Sequence, residues 1–382
     1  MTDIATTSIP FNKPGLTGRE LHYAAEAILN LHSSADGPFS RRCQQLLETT
    51  LGAAKVLLTS SCTDALEMAA MLIDIEPGDE VIVPSYTFVS TANAFVLRGA
   101  RPVFADIRPD TLNLNERPLE ALISPRTKAI LPVHYAGVGC NMELILALAG
   151  RHGIQVVEDN AHGLYARHNG RFLGTFGSLA TQSFHETKNI MCGEGGALVI
   201  NDPEFIERAE ILRDKGTNRR SFLRGQVDKY TWVDIGSSFG MSDLLAAFLY
   251  AQLEQREYIY SRRRAVWDFY DRALADWAEN QGIKRPLIPP GAEQSYHMYY
   301  LILPSLAARQ RFIAHLAARG IMGVFHYTPL HSSAMGLRFG ASPDQCPVAT
   351  WVSERLIRLP FFNDLKCEDQ SQVVDAIHSF QC

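Results

Sequence analysis

From Lys55 onward the chain repeats one pattern: a short apolar run, a tight polar turn, then a stretch with apolar residues at helical spacing. The runs at 56–59, 80–84, 101–105, 129–133 and 154–157 are too short for helices and are rich in Val, Ile and Ala. Between them, 65–73, 90–98 and 142–152 carry the helical pattern. Short strands alternating with helices imply right-handed crossovers and a mostly parallel sheet covered on both faces. The predicted fold class is therefore α/β. Ligands on such sheets sit beyond the carboxyl ends of the strands. The segments 59–63, 85–88, 134–137 and 159–162 lie just past those ends and are expected to meet in one pocket.

The flanks complete the outline. Residues 1–40 read as an arm and a helix at 18–31, and a second helix is expected at 39–51. Strands are expected at 180–184 and 195–200, with a helix at 204–213. Residues 214–240 form a long polar segment of the kind that is usually functional or interfacial. Residues 241–277 are strongly helical and carry a basic patch at Arg262, Arg263 and Arg264, read as a solvated face. A Pro- and Gly-rich boundary at 282–291 leads to a smaller αβ unit, with strands at 299–303 and 321–325 and helices at 307–318 and 367–379. The expected domains are a large one over 1–245 and, over 246–382, a long connecting helix with a small C-terminal domain.

Hydrophobic content of 46% with 20% charge is that of a soluble chain with a sizeable core, and a net charge of −5 gives no reason to expect nucleic acid or a membrane surface. The seven cysteines are scattered and odd in number, with no C-x-x-C pair, which argues against a disulfide framework or a zinc site and for a reducing cytoplasm. The first ten residues have neither a basic nor an apolar region, so no secretory leader is expected.

The chemistry concentrates between 156 and 197. One apolar strand ends on a carboxylate, Asp159, and a second runs into a lone lysine, Lys188. An acid at a strand end and a lysine 29 residues later suggest pyridoxal phosphate. That cofactor needs an amine to form a Schiff base with its aldehyde and commonly an Asp facing its ring nitrogen. The turn from Ser60 to Asp64, feeding a helix, is a ready anion site, since helix N-termini present free N–H groups. No G-x-G-x-x-G follows the first strand, which speaks against a dinucleotide oxidoreductase.

Five blocks together carry a resemblance: PSYTFVSTAN at 84–93, PVHYAG at 132–137, Glu158-Asp159, SFHETKN at 183–189 and GEGGA at 193–197. With them the chain resembles, from Ile9 to Pro360, the DegT/DnrJ/EryC1/StrS family of pyridoxal-phosphate-dependent sugar aminotransferases. The resemblance implies the aspartate aminotransferase fold (PLP fold type I) and a homodimer with the active site at the interface. It also implies roles. Lys188 would be the Schiff-base lysine, and a lysine there argues for transamination over the dehydration of a related branch that has histidine. Asp159 would pair with the pyridine nitrogen, His162 would lie near the phenolic oxygen, and Phe88 would stack on the ring. Cys62, Thr63 and Ser183 would hold the phosphate. Ser238 stands where the family often has an Asn that reaches the phosphate from the other subunit. For His162 and Phe88, ordinary structural roles are the alternative.

Residues 215–219, 224–232 and 234–238 are most similar to the branch that makes dTDP-4-amino-4,6-dideoxy-D-galactose. The implied partners are L-glutamate, leaving as 2-oxoglutarate, and dTDP-4-keto-6-deoxyglucose. His185, His326 and His331 are candidates for the sugar side, and Lys215 and Arg219 for the diphosphate or the donor's carboxylates. The gluco epimer, a 3-amino or UDP-sugar aminotransferase, and a noncatalytic protein of the same fold are the competing readings.

Overall fold

The structure is a computed structural model that describes residues 9–381; the first eight residues of the expected arm and Cys382 lie outside the described residues. Seven strands form the main sheet: β1 (Lys55–Thr59), β2 (Glu80–Pro84), β3 (Arg101–Ala105), β4 (Thr127–Ile130), β5 (Gln155–Asp159), β6 (Leu179–Ser183) and β7 (Gly196–Ile200). Their spatial order is β1-β7-β6-β5-β4-β2-β3. β3, β2, β4, β5 and β6 pair in parallel, and β7 is antiparallel to both its neighbours. The carboxyl ends of six strands therefore lie along one edge, together with the amino end of β7.

The period-2 alternation of the strands sorts the core into layers. Val56, Leu58, Ala180, Ala197 and Val199 face helices α1 (Glu20–Leu29), α2 (Pro38–Leu51) and the later helix Asp243–Glu254. Leu57, Val81, Val83, Leu179, Leu198 and Ile200 face α3 (Cys62–Leu72), α4 (Val89–Val96) and Ile206–Arg213. Ile82, Ile130 and Val156 pack on α5 (Met142–His152). Several helix ends follow local capping signals. Ser61 caps α3 by accepting from Asp64 N–H, Asn141 caps α5, and Gly52 and Gly153 close α2 and α5 in the left-handed conformation.

The smaller unit pairs β8 (Tyr300–Ile302) with β9 (Leu356–Arg358) in antiparallel register, Tyr300 opposite Arg358. Tyr300 and Ile302 turn toward the main core, while Tyr299, Leu301 and Leu303 turn toward a second core with helices Arg256–Ala273, Leu306–Ala317 and Cys367–His378. The expected strand at 321–325 does not form. Ile321 bridges to Ile9 and Val324 to Arg358, one residue each, and the neighbour of β8 is instead β9. The expected helix over 241–277 is three helices, Asp243–Glu254, Arg256–Ala273 and Ala275–Asn280, broken at Gln255 and Leu274. Arg263 within it is buried, so the basic patch is not wholly a solvated face. A short helix, Arg219–Leu223, interrupts the segment at 214–240. Among the described residues no helix is long and apolar enough to cross a membrane.

Candidate active site

The strand ends open onto a cavity of about 770 Å³. Its floor comes from the main sheet, and its roof comes from Phe11, Asn12, His297 and the stretch from Val324 to Tyr327 with Arg358. Of the thirteen residues singled out in the sequence, nine line it: Cys62, Thr63, Phe88, Asp159, His162, Ser183, His185, Lys188 and His326.

The start of α3 supplies an anion cradle. Asp64 N–H is taken by Ser61 Oγ and Ala65 N–H by Ser61 O, which leaves the N–H groups of Cys62 and Thr63 without an acceptor in the fold. The chain at β7 passes so close that a Cβ on Gly196 would fall 2.4 Å from Cys62 N and from Ser61 C and O. Gly195 is less confined, since its Cβ would meet only side-chain ends, Met241 Cε at 2.5 Å and Cys192 Sγ at 2.7 Å. The glycine pair in GEGGA thus lets a strand end lie against the turn. Thr63 Oγ1 and Ser90 Oγ share a hydrogen bond of 2.8 Å at the rim of this cradle. Burial, with the charge of Asp159 nearby, pushes the Cys62 thiol up to about 12, so it is a poor nucleophile.

Asp159 is buried at the end of β5. Its Oδ2 accepts from Thr91 Oγ1 at 2.7 Å and its Oδ1 from Ala161 N–H at 3.2 Å, which fixes the carboxylate's plane. Lys188 follows a turn closed by its own N–H on His185 O at 2.8 Å. Burial lowers its pKa to about 8, against the opposing pull of Cys62 and Asp159 and with help from the Arg358 charge. A buried lysine that loses its proton near neutrality can act as nucleophile and base. Phe88 is 56% exposed and leans over one wall, its ring 6.3 Å from that of Tyr327.

Three imidazoles line the same cavity. His162 stacks on His297 at 4.3 Å between centroids, and His326 stacks on Tyr327 at 3.6 Å. Burial, and the nearby Lys188 charge, hold all three well below the ordinary histidine value, so all are neutral. Their partners set the tautomers. His162 Nδ1 accepts from Ala136 N–H, leaving Nε2–H toward Tyr327 Oη at 3.3 Å. His297 Nδ1 donates to Asn189 Oδ1 at 2.8 Å. His326 Nδ1 meets Tyr135 Oη at 2.7 Å.

Four sequence candidates lie elsewhere. His331 is fully buried outside the cavity, with its ring between Ser85 Oγ at 2.6 Å and Pro343 O at 3.0 Å; it ties the smaller unit to the end of β2. Lys215 is exposed and paired with Asp214 at 2.9 Å, and Arg219 lies 3.8 Å from the same carboxylate. Ser238 is exposed and bridges in backbone to Asp214. None of these four reaches the cavity of its own chain. From 134–137 nothing lines it either: His134 is held by Glu158 at 2.9 Å, and Tyr135 stands behind the wall, against His326, His162 and Tyr327. His185 sits at the mouth, 3.6 Å from Glu194. Sequence reasoning missed His297, Tyr327 and Arg358. No local spacing links them to the sheet; they arrive because the smaller unit folds back over it.

Comparison with known proteins adds to this geometry. The model of the DegT/DnrJ/EryC1/StrS aminotransferase family matches residues 16–378. The chain is 33% identical over 348 residues to an uncharacterised protein of Methanocaldococcus jannaschii, with 89% of each covered. It is similar in structure to the aminotransferase TlmJ of Streptoalloteichus hindustanus, at 30% identity and TM-score 0.89, with 97% of this chain and 98% of that one covered. It is also similar to PseC of Helicobacter pylori, an aminotransferase involved in pseudoaminic acid biosynthesis, at 26% identity and TM-score 0.88 over 97% and 98% of the two chains.

Proposed function

The chain belongs to the DegT/DnrJ/EryC1/StrS aminotransferase family, and from that premise we propose that it is a pyridoxal-phosphate enzyme moving the amino group of L-glutamate to C4 of dTDP-4-keto-6-deoxy-D-glucose, with dTDP-4-amino-4,6-dideoxy-D-galactose as product. The observation that carries the transaminase reading is Lys188, a half-buried lysine with its pKa drawn down to about 8, in one cavity with Asp159 and the open cradle of α3. The residues fit the cofactor. The free N–H groups of Cys62 and Thr63, with the hydroxyls of Thr63 and Ser183, match a phosphate. The carboxylate of Asp159, held by Thr91, can keep a proton on a ring nitrogen. Phe88 and His162 line the same cavity and offer rings for contact with a cofactor ring. When bound, pyridoxal phosphate supplies an electron sink that lets a proton leave the carbon bearing the amine. Lys188, neutral on release, is the base placed to move that proton.

The sugar side rests on the similarity of 215–238 to the dTDP-galacto branch, together with the exposed position of that segment. Lys215, Arg219 and Ser238 lie outside their own chain's cavity, and Leu223, Tyr230 and Trp232 beside them are exposed. A second copy of the chain would cover these apolar side chains and bring the polar ones to a neighbouring site, which supports a homodimer with shared active sites. Incubating the protein with glutamate and dTDP-4-keto-6-deoxyglucose, then recording the proton NMR of the product, tests the whole proposal. A small H3–H4 coupling is expected. A large one would move the product to the gluco epimer, and no aminated sugar would overturn the substrate.

A further inference from the structure

One buried acceptor in the cavity has no partner in the fold. It is Nε2 of His297, and what fixes it starts at a backbone carbonyl. Asn189, the residue after Lys188, gives its Nδ2–H to Ser295 O at 2.7 Å. A carbonyl oxygen only accepts, so the orientation of the amide is settled, and Asn189 Oδ1 is the atom 2.8 Å from His297 Nδ1. An amide oxygen also only accepts, so Nδ1 carries the proton of the ring. The other nitrogen is then bare. Among the described residues no group donates to it, although the side chain is only 8% exposed and lines the cavity.

The segment that carries His297 is held from several sides. Ser295 N–H donates to Gly137 O at 3.2 Å, and Ser295 Oγ to His162 O at 2.5 Å. Gly137 has a φ of +82°, and a Cβ there would collide with Ser295 Oγ, so the contact needs glycine. Tyr296 takes a left-handed φ of +53°, and the buried Arg263 clamps Tyr296 O at 2.8 Å and His297 O at 2.6 Å. The imidazole does not readily change role by taking a second proton. Burial, His162 and the charges of Lys188 and Arg263 hold it well below the ordinary histidine value. The cavity therefore contains a rigid acceptor that awaits an O–H or N–H from a ligand.

That requirement separates the two substrates. Apart from its reacting nitrogen, L-glutamate offers carboxylates, which accept only and would set lone pair against lone pair. A 4-keto-6-deoxy sugar carries hydroxyls at C2 and C3, and a hydroxyl can donate. The Lys188 charge acts on the His297 ring, so the acceptor lies near the reacting centre, and the C3 hydroxyl is next to the carbon that is aminated. We infer that Asn189 is a positioning residue and His297 a specificity-determining one: Asn189 locks the Nδ1–H tautomer, and the bare Nε2 receives the C3 hydroxyl of the sugar. The inference rests on the sugar aminotransferase reading above.

The test uses the holoenzyme in single turnovers, read by the cofactor's absorbance, with each half-reaction followed separately. The amine-loaded enzyme is mixed with dTDP-4-keto-6-deoxyglucose or with its 3-deoxy analogue. Wild type should react about 30-fold more slowly with the analogue. His297→Phe keeps a ring to stack on His162 but has no acceptor. It should lose about 30-fold with the parent sugar, react with parent and analogue at rates within about threefold, and lose no more than about threefold in the glutamate half-reaction. Asn189→Leu should lose about tenfold with the parent sugar. Nitrogen NMR of protein labelled in its histidines reads the tautomer directly, with His297 assigned by the signals missing from His297→Phe. Its proton should sit on Nδ1 in wild type and move toward Nε2 in Asn189→Leu, a change that a merely structural asparagine would not produce. If Asn189→Leu does not fold, the wild-type spectrum and the wild-type preference between the two sugars decide the matter. A proton on Nε2 in wild type, equal wild-type rates with the two sugars, or equal losses of His297→Phe in both half-reactions would overturn the assignment. Wild-type protein that takes no amine from glutamate, or aminates neither sugar, would instead sink the reading on which it rests.

Discussion

The wall around Lys188 and the segment at 214–240 both stand out in the sequence, but one chain supplies their surroundings very unequally. Around Lys188 the elements close on each other. Asp159 is held by Thr91 and Ala161, and the turn at Ser61 is pressed by Gly196. In the other segment Trp232 is 79% exposed and Lys215 pairs only with its neighbour Asp214. A residue whose partners are all within its own chain can be placed by one fold. A residue whose partners lie outside it is placed only when the assembly or the substrate arrives.

The contrast can be broken at several points. Lys188→Ala should remove turnover by at least about 10⁴-fold and abolish the visible absorbance of the cofactor-loaded protein; retained activity would end the claim that this wall does the chemistry. Gly196→Ala should come next. Its methyl group has no room against the Ser61–Cys62 backbone, so about 2 kcal/mol of stability and about 100-fold in cofactor affinity should be lost, read by thermal unfolding and by titration of apoprotein. An unchanged affinity would show that the turn yields.

The pH response of Lys188 is a smaller effect with a definite sign. The neutral amine is the nucleophile, and its fraction rises with pH until about 8, where burial has set the pKa. The rate at which apoprotein takes up pyridoxal phosphate should rise about tenfold per pH unit below that point and level off above about 9. A climb continuing past about pH 10 would mean an ordinary, exposed lysine. The same depression makes the folded state gain stability as pH rises from about 8 toward the unfolded lysine value. Least of all should come Lys215→Ala. It should leave cofactor binding and unfolding unchanged and raise the KM for the sugar nucleotide about threefold. A larger effect on the cofactor than on the sugar would reverse the division between the two regions.

What the sequence reveals follows the same line. β2, β3 and α5 were legible nearly to the residue, because apolar runs bounded by turns and caps are local signals. Asp159 was legible because it ends an apolar strand, and Lys188 because a second strand runs toward it. The strand expected at 321–325 failed because its apolar residues are used singly, Ile321 against Ile9 and Val324 against Arg358. The true edge, Leu356–Arg358, is three residues long and flanked by arginine, too short to register as a periodic pattern. His331 was misplaced because a histidine carries no mark of which side of a loop it will face; Ser85 decides that from 246 positions away. His297 stayed hidden for a similar reason, since its pairing with Asn189 is a property of the assembled cavity.

The three stacked imidazoles carry a last consequence. Histidines at an open site gather protons as the medium falls from about pH 7 to 5, and the field inside such a site drifts with them. Burial displaces that uptake in His162, His297 and His326 toward more acid solution. The inner wall of the cavity is thereby partly insulated from the medium. An anionic ligand entering a mildly acid solution therefore meets an imidazole wall that burial has made reluctant to charge.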